Sequence, residues 1–174
     1  LQYIEFVSHA LDTVNEETQA SLDGMTVDQL MFRPAPQANS MAWLAWHIAR
    51  TQDERASHLT GRDQLWVSDG WHARFGLAPD PANTGRRHDD DEVAAVRPES
   101  VGAASGYCTA AYQRASQYIG SLEPGDEEKS VSHPEGGDSK LIAILDRLVH
   151  GGFTHVGQLM YVRGLIEQRH WFSR

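Results

Sequence analysis

From Leu141 to Ile166 the apolar residues fall three and four apart. Leu141, Leu145, Leu148, Gly152, His155, Leu159, Val162 and Ile166 share one face of an ideal helix. A stripe of that length runs for about seven turns. It can be covered only by other helices of similar length, so it favours a bundle over any sheet-based architecture. One member of the stripe is a histidine. A ring on an apolar face must satisfy both nitrogens, through a buried hydrogen-bond partner or a metal. The same element therefore constrains both the fold and the chemistry.

Three further stretches carry helical periodicity. The first spans Leu1 to Leu22, with Ile4, Val7, Leu11 and Val14 in step, and ends at Asp23-Gly24. A short piece, Thr26 to Met31, has capping-box spacing at Thr26 and Gln29 and is closed by Pro34 and Pro36. The second long helix is predicted from Ser40 to about Leu59, with Ser40 as N-cap and Gly61 as stop; Trp43, His47, Arg50 and Glu54 fall near one face. The third runs from near Pro98 to Leu122 and buries Val101, Ala104, Cys108, Ala111, Ala115 and Tyr118. Ser139 is the predicted cap of the fourth, which continues to about Gln168. No run shows convincing strand alternation, and Glu123–Asp138 reads as a loop. The expectation is an all-α protein: one four-helix bundle domain over residues 1–174, with a long crossover between the second and third helices.

That crossover, from Gly61 to Asp91, lacks periodicity but holds Trp66, Trp71 and Phe75. A connection of this length is usually functional or disordered, and three large aromatics predict that it packs on the bundle. Its tail, His88 to Glu92, reads as a solvated acidic turn.

A net charge of −9 argues against nucleic acid as a partner, because phosphate binding needs clustered Lys and Arg. No apolar run reaches membrane-span length. A single cysteine, Cys108, excludes an internal disulfide framework and fits the cytoplasm; it reads as a small core hydrophobe. The expected partner is a small molecule.

Bundle proteins build metal sites from side chains on facing helices. His47 and His155 both lie at core-facing phases near the middles of long helices. The third candidate ligand is His150. Five residues separate it from His155, about 140° around an ideal helix. Gly151, one turn before His155, offers no ligand atom. A π-bulge at Gly151-Gly152 would bring His150 into register; otherwise His150 lies to one side. His9, His58, His72, His133 and His170 read as surface or helix-end residues. Trp43, Arg50 and Trp71 are candidate substrate contacts. Arg50, Arg74 and Arg163 can in principle hold an acidic group, with surface salt bridges as the competing role.

Met41-Ala-Trp-Leu-Ala-Trp-His47-Ile-Ala-Arg50 and His155-Val-Gly-Gln158-Leu-Met-Tyr161-Val-Arg-Gly164 resemble tracts of the DinB superfamily of DinB/YfiT-like metalloenzymes. Asp69-Gly-Trp71-His-Ala-Arg74-Phe75-Gly-Leu77 looks like its actinobacterial branch. The resemblance implies an up-down-down-up bundle and a divalent metal, zinc or nickel, on three histidines. Two of these match His47 and His155, while the third position falls on Gly151. It also implies a homodimer, and a thiol S-transferase or isomerase activity that uses a low-molecular-weight thiol such as mycothiol. A bound dication makes a coordinated thiol a thiolate at neutral pH. The alternative is a protein with a degenerate metal site that binds small molecules or serves a stress-associated role without catalysis.

Overall fold

The computed structural model describes residues 3–134 and 136–171, so the predicted start at Leu1 lies outside the described residues. The helices are α1 (Tyr3–Leu22), α2 (Val27–Leu30), α3 (Met41–Thr60), α4 (Leu65–Ser68), α5 (Trp71–Arg74), α6 (Asp90–Ala95), α7 (Val101–Ile119) and α8 (Leu141–Glu167). Two three-residue strands, β1 (Ser130–Ser132) and β2 (Asp138–Lys140), pair antiparallel with Val131 opposite Ser139. The long helices α1, α3, α7 and α8 form the frame.

Local chemistry sets most boundaries. Ser40 Oγ accepts from the Trp43 amide at 3.1 Å, and Gly61, at φ +65°, ends α3. Both Thr26 with Gln29 and Asp89 with Glu92 form capping boxes. Two predicted starts move. Ser100, not Pro98, opens α7, because its hydroxyl accepts from the Ala103 amide at 3.0 Å. Ser139 lies in β2 rather than capping α8; that helix emerges directly from the hairpin, where the Leu141 amide donates to the Lys129 carbonyl. The hairpin itself falls in the stretch expected to be loop. Three residues per strand are too few to show a period.

The contacts fix the helix directions. Tyr3 Oη donates to the Ile142 carbonyl, Val14 packs on Gly152, and Arg163 donates to the Ala20 carbonyl, so α1 and α8 run parallel. Gln19 reaches Ser105 while Tyr112 reaches Asp12, so α7 runs against α1. Cys108 contacts Ala45 and Arg114 contacts Ser57, so α3 runs with α7. Each of α7 and α8 packs on both α1 and α3.

Two large core clusters result, with a small third of Val14, Ile48 and Val156. One, around Leu11, Ile119, Leu141 and Leu145, fills the end where α1 and α8 begin. The other holds Trp46, Trp66, Phe75 and Tyr107, with Trp66 and Tyr107 centroids 5.5 Å apart. Each such aromatic contributes about 2–3 kcal/mol through burial. Trp66 and Phe75 belong to the crossover, so that segment is part of the core. No helix among the described residues is long and apolar enough to cross a membrane.

Candidate functional site

The crossover is fastened to α3 by a buried ion pair. Arg50 and Asp53 are both fully buried, 3.6 Å apart. Arg50 Nε donates to the Asn83 carbonyl at 2.9 Å, Nη2 to the Pro81 carbonyl at 3.0 Å, and Nη1 to Gln64 Oε1 at 2.8 Å. Asp53 accepts from the Leu65 and Trp66 amides at 2.9 and 2.8 Å and from Tyr107 Oη at 3.0 Å. Arg50 is therefore a structural clamp with its donors engaged by protein. The expectation that it contacts substrate is corrected: in a helix its phase resembles that of His47, but its reach ends in the loop backbone.

This clamp delivers Thr84 and Gly85 to the first histidine. His47 is 8% exposed, and its Nδ1–H donates to the Thr84 carbonyl at 2.5 Å. A carbonyl only accepts, so the proton sits on Nδ1 and leaves Nε2 with a free lone pair. Trp43 stacks on the imidazole at 4.7 Å between centroids. Burial, with smaller contributions from His155, Arg55 and Arg86, pushes the His47 pKa down to about 4 against the weaker pull of Thr84. The ring is neutral at pH 7.

His155 repeats the arrangement from α8. Its Nδ1–H donates to Gln158 Oε1 at 2.9 Å, one turn on, which again frees Nε2. The two rings lie edge to face, 4.7 Å between centroids. Trp43 bonds outward as well: its Nε1–H donates to His88 Nδ1 at 3.1 Å, and His88 Nε2–H donates to Asn83 Oδ1 at 2.8 Å. His88 is thus not part of a solvated turn but a link between crossover and α3, stacked on Trp46 at 5.5 Å.

A small cavity of about 180 Å³ opens on this pair. It is lined by His47, Thr51 and Arg55 of α3, Arg86 of the crossover, and Arg147, His150, Gly151 and His155 of α8. His150 lies at its exposed rim. No bulge brings it inward, since α8 is α-helical throughout Leu141–Glu167. Trp71 lies elsewhere, against Tyr107 at 5.4 Å, with Arg74 over its face. Arg74 also faces Glu99, and Arg163 bonds Glu167 and the Ala20 carbonyl. Cys108 is buried, and desolvation pushes its pKa up to about 12, so it is no nucleophile. A wider groove of about 740 Å³ beside Tyr161 and Trp171 includes neither histidine of the pair.

The sequence model of the DinB superfamily matches residues 10–159. The chain belongs to the DinB superfamily. The match spans α1 through most of α8 and includes both histidines. Among solved structures, this DinB-superfamily chain is similar to one described as the conserved protein of locus from Enterococcus faecalis. The two share 26% identity with a TM-score of 0.85, over 97% of this chain and 99% of that one. No curated protein matches.

A resident dication needs ligand atoms that converge on one point. Two imidazoles with oxygen-bonded Nδ1 atoms and unbonded Nε2 atoms are ligand-like. The remainder is not. Among the described residues no three His, Cys, Asp or Glu side chains stand together as a metal cluster, and no carboxylate lines the cavity. Three arginines do line it, and their charge opposes a dication. The set does not fit a closed or catalytic three-ligand site. Arg55, Arg86 and Arg147 went unrecognised in the sequence because they come from three elements. The one available signal was Arg55 lying two turns beyond His47 in α3.

Proposed function

We propose that this DinB-superfamily chain is a small-molecule-binding protein that uses the His47–His155 cavity without a resident metal of its own. One observation carries the reading: two imidazoles oriented by their Nδ1 bonds face a cavity whose other ionisable lining groups are arginines and His150, with Gly151 where a third ligand would stand. Such a cavity offers convergent polar groups on rigid helices, backed by Trp43. Metal content decides it. Purified protein dialysed against excess zinc or nickel should hold far less than one ion per chain in the cavity, and His47→Gln should not change the amount bound. Stoichiometric metal lost in His47→Gln overturns this reading.

The second reading is a metal-dependent thiol S-transferase with zinc or nickel and a mycothiol-type cofactor. It is favoured by the paired free Nε2 atoms alone. In that case His47 and His155 would hold the dication, and the metal would lower the pKa of a thiol bound to it. Thr84 and Gln158 would fix the ring orientations, and Trp43 would exclude water from one side. The same dialysis experiment distinguishes the two readings, and thiol-dependent turnover of an electrophile would support this one.

A further inference from the structure

We propose that the cavity binds a small anion that also carries a hydroxyl or thiol. Arg55 and Arg147 hold its charge, and the imidazole Nε2 atoms accept its O–H or S–H proton in a hydrogen bond. This rests on the reading of the cavity as a small-molecule site and adds the class of ligand.

The positive half is built on both α3 and α8. Arg55 is buried, yet among the described residues it donates only one hydrogen bond, to the Thr51 carbonyl at 3.2 Å. A guanidinium has five N–H donors. No Arg55 nitrogen is among the sealed, unpartnered polar atoms, so its remaining donors open toward the cavity. Burial opposes the Arg55 charge most; Glu54 favours it, while Arg86 and Arg147, which line the same cavity, oppose it. A protein does not gain stability by holding like charges together in a partly dry recess. An anion resolves the conflict, and a guanidinium fork matches carboxylate or phosphate oxygens.

The accepting half is set by the loop and by α8. The Thr84 carbonyl and Gln158 Oε1 each take the Nδ1 proton, so both Nε2 atoms are acceptors when the rings are neutral. A bare carboxylate or sulfate has no proton to give them. Neither Nε2 is among the sealed, unpartnered polar atoms, so both are open to a ligand in the cavity. A ligand with a donor beside its anionic group satisfies both halves. The volume of about 180 Å³ limits it to a compact molecule.

Isothermal titration of the full chain at low ionic strength with malate, mercaptosuccinate, succinate and succinamide tests both halves. Malate or mercaptosuccinate should bind most tightly, and the stronger of the two tells whether O–H or S–H is preferred. Succinate should be weaker, and neutral succinamide should not bind. Arg147→Ala, at an exposed position that leaves the core intact, should weaken the anions at least about tenfold. Anion binding unchanged in Arg147→Ala, or no binding by any of the anions, overturns the proposal. So does succinate binding as tightly as malate and mercaptosuccinate. A neutral ligand lost in His47→Gln overturns the anion assignment while leaving the small-molecule reading standing. The metal measurement decides that reading separately.

Discussion

His47 and His155 meet edge to face across the interface of α3 and α8, their ring centroids 4.7 Å apart and their planes at 85°. Each is turned by a partner outside the pair, Thr84 for one and Gln158 for the other. The geometry places two lone pairs beside a cavity and keeps two N–H groups occupied elsewhere. Trp43, packed edge-on to His155 and flat on His47, closes the apolar side.

This burial makes stability depend on pH. The His47 pKa is about 4 in the folded chain and 6.5 as the reference value. Between those values the unfolded chain binds more protons, so stability rises with pH through that window. The stabilisation is fully present above about pH 6.5 and is lost as pH falls through about 4, on the order of 3 kcal/mol in all. Urea denaturation of wild type and His47→Gln across pH 4 to 7 should show a shallower slope in the variant, whatever its overall stability. Equal slopes would show that His47 does not carry the effect.

Gly85 is the tightest point of the crossover. A Cβ there would lie 2.8 Å from a Trp46 ring carbon, 2.9 Å from one of Trp43 and 3.1 Å from His47 Nδ1, and φ is +90°. Gly85→Ala should therefore cost about 2–4 kcal/mol through overpacking and backbone strain together. It should also disturb the Thr84–His47 bond. Chemical denaturation measures the first effect and the His47 ring NMR shifts the second. Gly24→Ala is the control: it also has positive φ, but its Cβ would meet nothing within 4 Å.

Asp53 holds the start of the crossover and neutralises Arg50. Asp53→Ala strands a buried guanidinium and two amides, a loss of about 3–5 kcal/mol in denaturant titration. Hydrogen exchange should quicken at Leu65 and Trp66 before it does in α1. Uniform protection across both would mean that the crossover is held by its aromatics alone.

The frame was legible because three-and-four periodicity is local information. Leu141, Leu145, Leu148, Leu159 and Val162 are buried along α8 as that pattern requires, and His47 and His155 come together for the same reason. Arg50 misled because helical phase gives a direction and not a partner. Its partners, the Pro81 and Asn83 carbonyls, lie 31 and 33 residues away in a segment with no period to read. His88 was misread likewise, since its hydrogen bond to Trp43 spans 45 residues. The convergence of Arg55, Arg86 and Arg147 depends on the antiparallel packing of α3 and α8 and on where the loop crosses, neither of which is written in any short stretch.

The position of Gly151 offers a direct test of what separates this cavity from a metal centre. Gly151 lines it with His47 and His155, and a Cβ built there meets nothing within 4 Å. A histidine at this position would stand four residues before His155, one turn away on the same helix face. Gly151→His should therefore complete a three-imidazole set and raise zinc affinity at least about tenfold, a change seen for lesser alterations around metal sites. Arg86 and Arg147 will oppose the dication, so adding Arg147→Ala should raise the affinity further. Gly151→Ala supplies the control. It gains helix stabilisation over glycine of about 1 kcal/mol, more than histidine gains, and adds no ligand. Zinc titration with thermal unfolding should then show a metal-dependent rise in Tm for Gly151→His alone. Equal responses from the alanine and histidine variants would mean that the paired Nε2 atoms do not point where a third ligand at this position can join them.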